Sequence, residues 1–133
     1  MTTFRSLAFA AAALLAGCSR DAGSATAMAE GRTYTDWLIA RQFDKLWSRF
    51  SPEMRNTFTS GAALADFAGH TVEQLGPPHG VGDERVTSED TVRVYTRTVA
   101  FARAPGRVRV QWTLSRAGTV TGFFLRPDTA PHR

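Results

Sequence analysis

The chain has 133 residues, 43% of them hydrophobic, with 16 Lys and Arg against 12 Asp and Glu and a formal charge of +4. That length suits one domain with a modest core rather than two. One cysteine leaves no internal disulfide framework, and scattered arginines with a single lysine, Lys45, lack the clustered basic footprint of a nucleic-acid binder.

Arg5 gives the N-terminus a positive charge, and Leu7 to Ala16 contain only Leu, Ala and Phe. That run has the length of a secretory signal and falls short of the roughly 20 residues that span a bilayer. It ends in Leu15-Ala16-Gly17-Cys18, which resembles the lipobox of bacterial lipoproteins. The resemblance implies transfer of diacylglycerol to the Cys18 thiol, cleavage before Cys18 and acylation of the new terminus, palmitate included. It makes 1–17 a signal peptide and Cys18 the lipid attachment site. The protein is then held in the cell envelope on the extracytoplasmic side, with the membrane as its first partner. Ser19 rather than Asp follows Cys18. In the sorting pattern of Gram-negative enterobacteria this implies the outer membrane, facing the periplasm.

Residues 18–29 are mostly small or polar and read as a lipidated tether. From Thr33 to Gly76 the period is helical: Tyr34, Trp37, Leu38 and Arg41, then Phe43, Leu46, Trp47 and Phe50. Ser51-Pro52-Glu53 starts a further helix with an N-cap, a proline at N1 and an acid in the first turn. Ser60 caps another, carrying Leu64, Phe67, Val72 and Leu75, and Gly76-Pro77-Pro78 ends it. The helical aromatics, Phe67 among them, are expected in the core. After residue 80 the period becomes two, over 91–102, 107–115 and 119–125, with turns at Ala104-Pro105-Gly106 and Arg116-Ala117-Gly118. A short extra strand is expected near Val81 to Val86. The predicted fold is α+β: N-terminal helices on one face of a curved antiparallel sheet of three to four strands, occupying 30–127, with 128–133 a frayed tail.

Two stretches, YTDWLIARQFDKLWSRFSPEMRNTF and QLGPPHGVGDERVTSEDTVRVYTRTVAFARAPGRVRVQWTLSRAGTVTGFFLRP, resemble a bacterial domain of unknown function often found ahead of serine hydrolases. That domain is of the nuclear transport factor 2-like, ketosteroid isomerase-like kind, which implies a cone-shaped α+β roll over about 30–127. It has no established catalytic residues to carry over.

No nucleophilic constellation is visible: there is no Ser-x-x-Lys and no Gly-x-Ser-x-Gly. His70, His79 and His132 lack metal-ligand spacing, so neither a metal nor a cofactor is expected. Pairing Phe101 with Val108 and Arg97 with Trp112 places Tyr95, Arg97, Val99, Phe101, Val108, Val110, Trp112 and Leu114 on one apolar, helix-facing side. Arg97 is the exception there. It lines a small pocket with Tyr95 and Trp112, or it lies on the rim with its stem on Trp112 and its head in water. Register decides whether Phe123 or Phe124 faces outward. An outward phenylalanine would suit a homodimer or a protein partner on the sheet face. The expected role is non-catalytic binding of a protein partner, such as a cell-wall hydrolase, or of a small ligand. The alternative is a small enzyme or ligand carrier using an internal pocket.

Overall fold

Side-chain caps set the helix starts. Ser51 Oγ accepts from the Met54 N–H at 3.2 Å and Ser60 Oγ from the Ala63 N–H at 3.0 Å, satisfying donors the helices leave open. The computed structural model describes residues 18–129. Residues 1–17, on which the signal-peptide expectation and the Leu15-Ala16-Gly17 part of the lipobox-like motif fall, and 130–133 lie outside the described residues. Four helices come first: α1 (Cys18–Ile39), α2 (Phe43–Arg49), α3 (Pro52–Phe58) and α4 (Gly61–Leu75). Gly76, at a positive φ of 74° that favours glycine, stops α4. Strands β1 (Pro78–Glu89), β2 (Val92–Phe101), β3 (Arg107–Leu114) and β4 (Val120–Pro127) follow as an antiparallel sheet in that order. The fold is α+β, with helices before a curved, unclosed four-stranded sheet.

The core lies between the helices and one sheet face. Tyr95, Val99, Val110, Trp112, Leu114 and Val120 supply it from the strands, with Tyr34, Leu38, Leu46, Phe50 and Leu64 from the helical half. Each large apolar side chain fully buried there contributes ~1.5–3 kcal/mol.

Five expectations need correction. The stretch read as a tether is helical, since α1 begins at Cys18. The inward face of α1 carries Ala27, Gly31 and Thr35, all buried and four apart, so small residues bring the helix close to the sheet, and the first of them lies in the stretch expected as a linker. The β2–β3 register is displaced by two residues: Tyr95 pairs with Trp112 and Arg97 with Val110. Residues 102–106 form a longer connection than a tight turn, and a shift of two preserves the faces while changing every partner. The extra strand is longer than expected, running from Pro78 to Glu89 with a bulge between Val81 and Glu84. Phe67 lies outside the core, 56% exposed and edged by Phe58. The tail is tied at its start: Asp128 donates its N–H to Arg107 O at 2.8 Å and its carboxylate pairs with Arg109 at 2.7 Å.

A further irregularity between Thr113 and Leu114 fixes the last strand. Phe123 turns inward and stacks on Trp112, while Phe124 turns outward under Arg126.

Candidate functional site

Tyr95, Arg97 and Trp112 share the helix-covered face, as the alternation of β2 and β3 requires. Tyr95 and Trp112 are each 0% exposed. Gly31 of α1 sits directly on the Tyr95 ring, where a Cβ would overlap ring carbons. The Tyr95 hydroxyl donates to Glu84 Oε2 at 2.6 Å. Trp112 Nε1 donates to Thr35 Oγ1 at 3.0 Å, and Thr35 Oγ1 donates to the Gly31 carbonyl at 2.7 Å. The Trp112 ring is closed in by Phe123, with centroids 4.3 Å apart, and by the edge of Tyr34. The ring space and both polar tips are thus used internally, and the proposed pocket is filled.

Glu84 organises the polar end of this cluster. It lies beyond the β1 bulge, opposite Arg97. Arg32 Nε donates to both of its oxygens, at 2.9 and 3.0 Å. The Arg32 bond holds the Glu84 carboxyl below the usual carboxylate range, aided by the Tyr95 bond and by the positive charge of Arg97. Burial, and then Glu84, push the Tyr95 phenol well above its ordinary value, so it stays a protonated donor. Arg97 is half-buried. Its Nε is shielded from solvent and has no hydrogen-bond partner. It faces Glu84 on one side and Val110 on the other, so the predicted stacking of its stem on a paired Trp112 is replaced by the Tyr95–Trp112 pair.

A second polar group joins α1 to the β3–β4 turn. The Tyr34 hydroxyl donates to Gly118 O at 2.6 Å and accepts from Arg49 Nε at 2.9 Å. Glu30 lies against Gly118, in the field of Arg49 and Arg93. Burial raises its carboxyl above the ordinary value, and the two guanidiniums only partly oppose this.

The sequence reading puts Glu84 inside the short strand expected near Val81 to Val86 without giving it a role, and it does not single out Arg32, Glu30 or Arg93. The signal for Glu84 was the alternation of Glu84, Val86 and Ser88, which the bulge separates from Val81. Clefts of about 450, 460 and 400 Å³ open at the α4–β1 junction, beside the N-terminal half of α1 and at the start of α2. Tyr95, Arg97 and Trp112 line none of them. Among the described residues no three His, Cys, Asp or Glu side chains gather as a metal site would need, and no helix is long and apolar enough to cross a membrane.

No family model matches the chain, and no curated protein or solved structure matches it either.

Proposed function

We propose that this is a lipid-anchored envelope protein, extracytoplasmic, whose nuclear transport factor 2-like domain works by binding rather than by catalysis. The observation that carries the binding reading is the filled inner face. Tyr95 and Trp112 have no exposed surface, and their polar atoms are engaged by Glu84 and Thr35. A substrate pocket there would need space and free donors. The anchoring reading rests on the order of Arg5, the apolar run and Leu15-Ala16-Gly17-Cys18.

The uncovered sheet face supports a protein partner, a cell-wall hydrolase or a second copy of this chain among them. Phe124 is 43% exposed there, and Arg85, Arg107 and Arg126 share its side. Such a mixture of an aromatic with arginines is typical of interface centres.

Two measurements test the two halves. Metabolic labelling with palmitate should mark the wild-type chain and leave Cys18→Ser unlabelled; equal labelling of both removes the anchor. A photo-crosslinking side chain at position 124 should give a discrete protein adduct in the native envelope, and one at the exposed Thr33 should not. Adducts to lipid alone, or equal adducts from both positions, would defeat the partner-binding reading.

A further inference from the structure

The N-terminal half of α1 leaves a cleft of about 460 Å³ against the sheet, lined by Gly23, Thr26, Glu30, Arg93, Ser115 and Arg116. Among the described residues two guanidiniums and one carboxylate line it, so that wall is net positive. Arg93 rises from the inner sheet face, opposite Leu114, and its guanidinium lies against Gly23, where a Cβ would overlap it. Its Nε is shielded from water and has no hydrogen-bond partner. Arg116, on the β3–β4 turn, is exposed, with no ion pair among the described residues. Ser115 Oγ accepts from the Thr119 N–H at 3.1 Å, which leaves the hydroxyl proton free to donate. Two guanidiniums, one with an unpartnered Nε, and a hydroxyl donor converge on the cleft, offset among its described lining residues only by the nearby Glu30, and together they match a tetrahedral oxyanion.

Position suggests the source of that anion. At about 1.5 Å per residue, Gly23 lies about 8 Å along α1 from Cys18. The polar headgroup layer of a leaflet is about 5–8 Å deep. Because α1 runs unbroken from Cys18 into the domain, a lipid on Cys18 would hold the cleft at headgroup level.

We propose that this cleft binds a phosphate-class anion, and that in the envelope its occupant is the headgroup phosphate of an anionic phospholipid. The choice of a lipid source rests on the anchoring reading above; the anion site itself does not.

The test uses the full chain, processed by its host and purified in detergent. Inorganic phosphate, phosphatidylglycerol micelles and phosphatidylcholine micelles are the probes, with thermal stabilisation and titrated affinity as the readouts. Phosphatidylglycerol should stabilise the protein more than phosphatidylcholine. Arg93→Gln and Arg116→Gln should each weaken the response about ten-fold, the size expected for one charge-assisted contact. Arg85→Gln, on the opposite sheet face, should respond as wild type. Glu30→Gln should bind more tightly, since it removes the only carboxylate among the described residues that line the cleft. This variant gains binding, so it keeps the test valid if Arg93→Gln folds poorly. A response to inorganic phosphate without one to phosphatidylglycerol overturns the headgroup assignment. No response to any probe, or an undiminished response in the double arginine variant, overturns the site. Intact mass of the same samples reads acylation at Cys18 separately. A lipidated chain that ignores all anions defeats the cleft alone, and an unlipidated chain that binds phosphate defeats the anchor alone.

Discussion

The two halves of α1 meet the same sheet face in different ways. From Gly31 onward the helix is sealed to it. Gly31 rests on Tyr95, Thr35 takes the Trp112 N–H, and Arg32 closes over Glu84. Before Gly31 the contact is looser, and Gly23, Thr26 and Glu30 border a cleft holding the long side chains of Arg93 and Arg116. Rigid aromatic rings fill the first region, and flexible guanidiniums only partly fill the second. A side chain that can swing aside leaves room for a ligand; a ring fixed by its neighbours does not. The first region is therefore the part of the molecule that must not change, and the second is the part free to bind.

The sharpest way to break this contrast is to add the same methyl group to both halves. Gly31→Ala drives a Cβ into the base of a fully buried ring, and Tyr95 cannot move without displacing Trp112 and Glu84. Overpacking of that kind costs about 1–3 kcal/mol, of which about 1 is returned by the better helix propensity of alanine. Urea denaturation should show a net loss of about 1 kcal/mol. Gly23→Ala meets only the far end of Arg93, so its stability should match or slightly exceed wild type. Equal stabilities for the two variants would remove the distinction between the halves.

Thr35 offers a smaller and cleaner cut. Valine keeps its shape but leaves the Trp112 N–H buried without an acceptor and removes the bond to Gly31 O. An orphaned buried donor costs about 1–3 kcal/mol. Thr35→Val should lose about 2 kcal/mol, and Thr35→Ser should recover most of that. If valine is neutral, the indole N–H has found another partner, and the closed pocket is less rigid than its geometry implies.

These two residues also mark where the sequence could and could not be read. Ser51 and Ser60 were legible as helix starts because a cap is a local event, complete within four residues. The faces of β2 and β3 were legible because alternation survives a displacement of two. The partners were not, because they depend on the length of the connection over 102–106. The first half of α1 was hidden for a different reason. Its inward face carries Gly23 and Ala27 rather than a stripe of large apolar residues, so periodicity had nothing to count. Small residues over 18–29 read as linker until Arg93, which lies against Gly23, is known to need the space. Glu84 was hidden by the bulge after Val81, since an added residue reverses the faces that alternation assigns. The shared face of Tyr95, Arg97 and Trp112 was thus legible, but the contacts that Gly31 and Thr35 make with two of these side chains were not.

The finest test sets two partly buried carboxylates against each other, one at each part of the α1 contact. Glu84 is depressed, chiefly by the Arg32 bond and then by Tyr95. A depressed acid stabilises the fold above its ordinary value of 4.5, and that contribution is lost as pH falls through the folded value. Glu84→Gln should therefore cost stability at pH 7, modestly because the Arg32 side chain is largely exposed, and less at pH 3 as the folded carboxyl takes up its proton. Glu30 is raised by burial, so the sign reverses. Its protonated form is favoured in the fold, a contribution complete below 4.5 and lost as pH rises through the raised value. Glu30→Gln should thus be neutral in acid and slightly stabilising at pH 7. Urea titrations of both variants at pH 3 and pH 7 should diverge in opposite directions from wild type. Parallel behaviour would mean that Glu30 is paired as firmly as Glu84, and the N-terminal half of α1 would then be as sealed as the other.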